Sequence, residues 1–284
     1  KRNGEWTKKV KPRPSDIDEW THFLHGPDGN AVTPDSAIGV PRRIQWAGGP
    51  RWSQHHNRVP NISAMVTARG RLFYIVNKAP PGTKSLPGQW FLRCRDAFSG
   101  VVQWQVPLEE WGWRAWSNDP VSTSPLPGGR FNQPTYLPRT LVASGERLFV
   151  TLGFDSAVSV LDAKTGATLA TYESTRGADE LIVKGDMLIA AVHTADLSRR
   201  RNAMRADRRS SGGDDGPFGK RVVAVDTGSG DVLWRSRAYL GINSKRGEVG
   251  LHRHLNPVAG GGGIFLVTRD KLVCLDATTG AQQW

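Results

Sequence analysis

The chain has 284 residues, of which 38% are hydrophobic, and it contains 32 glycines and 18 prolines. This length allows one large domain or two ordinary ones with packed cores, and the glycine and proline content favours many turns. The formal net charge of +12 favours an acidic partner such as phospholipid, cell-wall polymer, nucleic acid or acidic protein, or a solvated basic surface without a dedicated partner.

Neither end of the sequence reads as a natural terminus. Residues 1–5 contain no signal peptide and no methionine, and Trp284 is the last residue of an internal repeat. We therefore expect the chain to be cut from a longer polypeptide. No run of about 18 apolar residues occurs, so we expect no membrane-spanning helix.

In chain order, residues 1–60 are interpreted as an N-terminal lead-in, whose strands we expect to pair with a missing last sheet and close a ring. Residues 61–284 then contain four segments of short strands, rich in β-branched and aromatic residues and separated by glycine-bearing turns. The approximate bounds of the four segments are 61–106, 139–173, 178–236 and 256–284.

Each segment contains one copy of the five-residue repeat Asp-x-x-Ser/Thr-Gly, in which x is any residue. The copies run from Asp96 to Gly100, from Asp162 to Gly166, from Asp226 to Gly230 and from Asp276 to Gly280. A position for Trp follows, and it holds Trp104, Ala170, Trp234 and Trp284.

This repeat predicts both a turn and a way of stacking sheets. Asp caps backbone N–H groups, and Gly provides a left-handed residue. Each Trp on the outer strand has a surface of about 150–250 Å² that a single sheet cannot bury. Four-stranded antiparallel sheets that repeat and stack side by side are the blades of a β-propeller, so we predict an all-β fold of this type.

The two cysteines occupy the same register of different repeats. Cys94 and Cys274 each precede the repeat Asp by two residues, where the other copies have Val160 and Ala224. This slot is a core position, and the first and fourth blades are expected to lie far apart. A disulfide between the cysteines is therefore not expected, and the redox compartment stays open.

The run from Ala224 to Trp234 resembles the PQQ-like β-propeller repeat of quinoprotein alcohol dehydrogenases and of the propeller lipoprotein in outer-membrane protein assembly. The run from Trp20 to Asn30 is similar to the lead-in that precedes the first blade in such proteins, and 43–46 looks like the strand that ends it. The resemblance covers most of residues 16–284 and is strongest to multi-domain envelope proteins without an assigned activity. It implies an envelope or periplasmic location and rings of seven or eight blades, so we expect an incomplete ring of about four blades.

The resemblance offers two functions, a binding or scaffolding module without catalysis and a fragment of a quinone-dependent dehydrogenase. The dehydrogenase would require pyrroloquinoline quinone, Ca²⁺ held by carboxylate and amide oxygens, an Asp base and a vicinal cysteine pair. The sequence has no Cys-Cys pair and no haem-attachment motif, and its placeable acidic residues lie in repeat turns. We expect no cofactor, no metal and no catalytic residue, and leave enzymatic activity open.

Two candidate recognition surfaces are predicted. Trp111, Trp113, Arg114 and Trp116 lie in the insertion between the first and second blades and suit stacking on rings. The favoured alternative is that the Trp residues plug a blade edge or a channel mouth. His252, Arg253 and His254 place two imidazoles on one face of a strand, with an exposed loop as the alternative.

The predicted partners are a protein or an acidic envelope polymer bound through loops, together with the missing blades or domains of the parent chain. The arginine-rich insertion 197–209 is a further candidate for phosphate-rich partners, or else a solvated loop. It has no interleaved aromatic residue, so binding of nucleic acid is not expected.

Overall fold

A computed structural model describes residues 12, 14, 16–37, 39, 40, 42–51, 61–79, 88–112, 115, 137–200, 219–242 and 254–284. The first sheet contains β1 Ile62–Ala68, β2 Arg71–Asn77, β3 Trp90–Asp96 and β4 Val102–Pro107. The second contains β5 Leu141–Ser144, β6 Arg147–Thr151, β7 Val158–Asp162 and β8 Thr168–Tyr172. The third contains β9 Ala178–Lys184, β10 Met187–His193, β11 Lys220–Asp226 and β12 Val232–Tyr239. The fourth contains β13 Val258–Gly260, β14 Gly263–Val267 and β15 Leu272–Asp276.

The strands of each sheet follow one another in chain order and pair antiparallel, as in the blade of a propeller. The first three blades have four strands each. In the fourth, residues 281–284 pair with β15 through three backbone hydrogen bonds and one isolated bridge rather than as a full strand. The prediction of an all-β, incomplete propeller is confirmed.

The inner strands β1, β5, β9 and β13 contact one another in sequence, so the blades are arranged around a common axis. Antiparallel pairing gives each blade two ends. We call one the turn end, because it carries the tight turns after β1, β5, β9 and β13 and the Asp-to-Gly turns. We call the other the insertion end. The described residues that flank each gap between 80 and 253 lie at the insertion end.

The four Asp-to-Gly turns share one hydrogen-bonding pattern. In the first, Oδ1 of Asp96 accepts from the N–H of Phe98 at 3.1 Å and from the N–H of Ser99 at 2.7 Å. Hydrogen bonds from the residue three positions on hold the pKa of all four aspartates below the ordinary value. The turn glycines have φ between +70° and +82°, the left-handed region that favours glycine.

Aromatic side chains fasten each blade to the turn of the next one. Trp104 donates its indole N–H to Ala163 O at 3.1 Å, and a Cβ on Gly166 would lie 2.8 Å from the Trp104 ring. Trp234 donates to Ala277 O at 2.8 Å and covers Gly280 in the same way. The turn glycine is thus required for a close approach as well as for its backbone angle.

The second blade uses a different residue for this contact. Ala170 is the register equivalent of Trp104 and Trp234, as predicted, but it carries no ring. Tyr172 lies two residues further along β8 on the same face, and its hydroxyl donates to Thr227 O at 2.8 Å above Gly230. The expected aromatic contact therefore exists, but at a position that the repeat pattern does not indicate.

Three hydrophobic clusters lie between consecutive blades and constitute the core. Cys94 and Cys274 are both buried and both free, at equivalent core positions. Trp284 is 58% exposed, whereas Trp234 is 7% exposed. The outward face of the fourth blade thus presents the kind of ring that the other junctions cover.

Within the described part of the chain, the helical segments are single short turns, and none has the length and hydropathy needed to span a membrane.

Candidate functional site

The lead-in passes across the turn end of the blades and contacts the inner strands of all four described blades. Trp20 O accepts from Thr67 N of β1 at 2.7 Å, and Thr21 O accepts from Ala143 N of β5 at 3.0 Å. We call residues 19–29 the axial segment, because they connect four blades across the axis.

The same segment continues to the third and fourth blades. The imidazole Nε2 of His22 accepts from Val183 N of β9 at 3.1 Å. Pro27 O accepts from Ala259 N of β13 at 2.8 Å. The axial segment therefore touches the blades in their chain order over a few residues.

The four donor residues occupy one register position of the repeat. Thr67, Ala143, Val183 and Ala259 each pair with the residue five positions later, across the turn to the second strand. The inner strand is an edge strand, and its axis-facing N–H groups have no partner within the sheet. The axial segment satisfies one such group per blade.

His22 is bound as a neutral acceptor. Nε2 receives the Val183 N–H, so the ring proton resides on Nδ1, which lies 2.8 Å from Thr21 Oγ1. The residue is 6% exposed, and burial lowers the pKa of His22 to about 4, with Asp28 opposing and His25 reinforcing this shift. Protonated Nε2 would direct a hydrogen at the Val183 N–H, so the contact requires the neutral ring.

Further contacts hold the axial segment at its ends. Glu19 Oε1 accepts from Arg69 N at 2.8 Å, and the guanidinium of Arg139 lies 5.0 Å above the Phe23 ring. At the far end, Gly29 has φ +68°, and a Cβ on it would lie 2.7 Å from a methyl of Val258. The segment is therefore packed as well as hydrogen-bonded.

The insertion end of the third blade contains a buried cluster of charged residues. Nζ of Lys220 lies 2.7 Å from Asp179 Oδ1 and 2.8 Å from Glu180 Oε1. Nε2 of His193 lies 2.6 Å from the other oxygen of Asp179. The side chains of Asp179, Glu180 and Lys220 are at most 1% exposed, so this cluster is internal.

The charges within this cluster fix one another's protonation. Burial opposes ionisation of Asp179, but Lys220 and His193 outweigh it and hold the pKa of the carboxyl below its ordinary value. Burial likewise opposes the charge of Lys220, but Asp179 and Glu180 raise the pKa of the ammonium. Burial lowers the pKa of His193 to about 4, so that ring is neutral and donates to Asp179.

Glu180 extends the cluster to the next blade. Its Oε1 accepts from Leu255 N at 2.9 Å and its Oε2 from Asn256 N at 2.8 Å, just before β13. On the other side of the third blade, Arg200 donates to Asp155 Oδ1 at 2.8 Å and lies over the ring of Phe154. These contacts join the third blade to both of its neighbours at the insertion end.

The two predicted recognition surfaces lie only partly within the described residues. Trp111 is 5% exposed and is part of the core between the first two blades, while Trp113, Arg114 and Trp116 lie outside the described residues. His254 is half-buried and pairs with Ile242, and burial lowers its pKa; His252 and Arg253 lie outside the described residues. Both insertions leave the blades at the insertion end, and their recognition role stays a prediction.

The two buried carboxylates of β9 do not fit the ligand set of a Ca²⁺–quinone site. Such a site needs several free carboxylate or amide oxygens around the cation. Here Lys220 lies between the two buried carboxylates of β9, and Glu180 also accepts two backbone N–H groups. No group of three His, Cys, Asp or Glu residues able to hold a metal occurs among the described residues.

Sequence reasoning missed the buried cluster and the axial contacts. Asp179 and Glu180 interrupt an otherwise apolar strand, and a pair of acids in a buried strand is a signal for an internal cation partner. Lys220 opens β11 at the same end, so the pairing could have been proposed. The axial contacts have mainly backbone donors and acceptors, and therefore no residue pattern marks them.

Comparison with known proteins gives one family match. Residues 219–284 match the family model described as outer membrane protein assembly factor BamB. A search of curated proteins finds no match to this chain.

Three solved structures are similar to parts of this chain. BamB from Moraxella catarrhalis is 16% identical, with a TM-score of 0.39, over 76% of this chain and 45% of that one. A europium-containing methanol dehydrogenase is 13% identical, with a TM-score of 0.49, over 94% and 48%. Quinohemoprotein alcohol dehydrogenase from Comamonas testosteroni is 12% identical, with a TM-score of 0.48, over 94% and 40%. The chain thus spans less than half the length of these proteins.

The blades and their aromatic junctions define the class of this protein as an incomplete β-propeller. Its residues 219–284 are similar to the PQQ-like repeat of outer membrane protein assembly factor BamB.

Proposed function

We propose that the chain is a non-catalytic propeller module that binds a protein or an acidic envelope polymer through the connections at its insertion end. The observation that supports this proposal is the use of the buried carboxylates. Asp179 and Glu180 are neutralised by Lys220 and hold neighbouring backbone, so they are not available as metal ligands or as a base. A cell-envelope or periplasmic location accords with this proposal.

The position of the insertions also supports the proposal. Gly112 lies against Trp90 at the insertion end, so the connection that contains Trp113, Arg114 and Trp116 starts there. The turn end is crossed by the axial segment. The long connections therefore begin and end at the insertion end, and connecting loops commonly carry recognition.

A binding assay with a matched control tests the proposal. Immobilised full chain is exposed to polyglutamate, as an acidic polypeptide, and to lipopolysaccharide vesicles. We expect replacement of Trp113, Arg114 and Trp116 by Ala to weaken capture about tenfold or more, since stacked aromatic and cationic contacts each contribute about 1 kcal/mol. The control replaces Lys164 and Lys184, two exposed lysines at the turn end, by Ala. This control also removes positive charge, but away from the insertion end, and should leave capture within about twofold of wild type.

Two outcomes contradict the proposal. Equal capture by the loop variant and the wild-type chain would remove this connection as the binding surface. Reduction of a dye with simple alcohols after addition of pyrroloquinoline quinone and Ca²⁺, abolished by EDTA, would show that the chain is part of a dehydrogenase instead.

A further inference from the structure

The axial contacts have the chemistry of a peptide-binding site. Edge strands present unpaired N–H groups, and proteins use such groups to bind an added peptide through its backbone. In this chain the four edges point at one axis, and each offers one N–H at the same register. Ala143, Val183 and Ala259 are all buried, so their N–H groups need a partner that water does not provide.

One short segment supplies all four acceptors. Three are backbone carbonyls, of Trp20, Thr21 and Pro27, and the fourth is the His22 imidazole. The segment forms no ladder with any single blade; its one bridge joins His22 to His25 within the segment itself. Its contacts therefore depend on the positions of acceptors across the ring rather than on strand pairing.

We propose that the amides of Thr67, Ala143, Val183 and Ala259 form a peptide-binding site at the turn end of the four inner strands, with the axial segment as its resident ligand. A peptide with the same arrangement of acceptors can then replace the segment when the segment's own contacts are weakened.

Hydrogen exchange of the four amides in the full chain tests the resident contact. In the wild-type protein all four are expected to exchange at least about a hundredfold more slowly than free peptide amides. His22→Phe keeps a ring but removes the acceptor, and should accelerate exchange at Val183 about tenfold or more. His22→Gln, whose amide oxygen can accept, is the matched control and should stay within about threefold of wild type.

A synthetic peptide with the sequence of residues 16–30, carrying a fluorophore, tests replacement. We expect saturable binding to the His22→Phe chain, slowed exchange at Val183 on binding, and no binding to the wild-type chain. Gly29→Ala provides a second variant that leaves the core intact, because its Cβ would meet Val258 and displace the far end of the segment. In that variant the amide of Ala259 should lose protection first.

Three results would each contradict a different part of the proposal. Fast exchange at all four amides in the wild-type chain would show that the segment does not occupy the site. Accelerated exchange in either variant without peptide binding would show a fixed structural contact and no site. Equal binding of the peptide to wild type and His22→Phe would place the peptide elsewhere.

Discussion

At the scale of single residues, the position at the end of each Asp turn requires glycine for two reasons, its backbone angle and the ring that packs against it. Gly166 has φ +76°, and its Cα is covered by the ring of Trp104. Any side chain there adds backbone strain and pushes the ring away from the carbonyl that accepts its N–H. Gly145, in the same blade, has φ +59° but open space around it. Substitutions at these two glycines therefore separate the cost of backbone strain from the cost of losing the contact between the ring and the turn.

We predict that Gly166→Ala destabilises the chain more than Gly145→Ala does. The control should lose about 1 kcal/mol, the cost of a left-handed alanine. Gly166→Ala should lose about 2–4 kcal/mol, because displacement of a large ring adds the cost of overpacking. Urea unfolding of both variants measures the difference, and equal losses would contradict the proposed junction.

The buried histidines predict how stability depends on pH. The pKa of His22 is lowered by burial from 6.5 to about 4, so the unfolded chain takes up this proton at a higher pH than the folded one. Stability from His22 is therefore complete above pH 6.5 and is lost as the pH falls towards 4, by up to about 3 kcal/mol. His193 has the same sign.

The pH prediction is tested by His22→Gln, which retains an acceptor and does not titrate. Its free energy of unfolding should fall less steeply than that of wild type between pH 6.5 and 4, while His193 still contributes. Identical slopes in the two chains would show that His22 is not a buried neutral acceptor.

The residue pattern was sufficient to predict the Asp turns, but it did not predict which aromatic ring covers the turn glycine of the third blade. Asp96 and Gly100 could be assigned because a capped turn needs those residue types at that spacing. The ring of Tyr172 was missed because Ala170 holds the register position, and only the alternation along β8 shows that a residue two positions later reaches the same glycine.

At the scale of strands, the third blade depends on charge as well as on apolar packing. Lys220 on β11 lies between Asp179 and Glu180 on β9, and Glu180 also holds the backbone before β13. Removal of one member leaves opposite charges buried without a partner, which commonly costs about 3–5 kcal/mol.

We therefore predict that Lys220→Met destabilises the chain by about 3–5 kcal/mol, because two buried carboxylates lose their cation. Lys184→Met is the control, since Lys184 is exposed at the other end of β9 and should change stability by less than about 0.5 kcal/mol. Thermal and urea unfolding measure both. A Lys220→Met chain as stable as the control would mean that the ammonium does not bridge the two carboxylates.

The strands were largely predictable and the lead-in was not. Alternating apolar residues and glycine turns located each blade, since one face of each sheet had to be buried. Residues 43–46 were predicted as a strand, but they are not one; Trp46 instead donates to Ala97 O at 3.0 Å and covers Gly100. The lead-in thus supplies to the first blade the same contact that each blade supplies to the next.

At the scale of the whole molecule, the two ends of the blades differ. The axial segment crosses the turn end, whereas the described residues that flank the long connections lie at the insertion end. This asymmetry follows from antiparallel blades whose tight turns all lie on one side. The sequence places the insertions between predictable strands, but no pattern of residue types in them specifies a ligand, and their recognition role stays a prediction.

The aromatic junctions determine the order in which the blades stack, and fluorine NMR of the full chain labelled with 5-fluorotryptophan tests them most directly. Trp104, Trp234 and Trp284 are assigned by single Trp→Phe substitutions, and a neutral gadolinium chelate reports exposure of each ring. We predict that the chelate weakly enhances relaxation of the Trp234 fluorine signal, because that ring is 7% exposed, and strongly enhances that of Trp284, which is 58% exposed. We also predict that the Trp234 signal shifts in Gly280→Ala. Equal relaxation of the two rings, with a Trp234 signal unmoved by Gly280→Ala, would contradict the stacking of blades through a ring on a glycine turn.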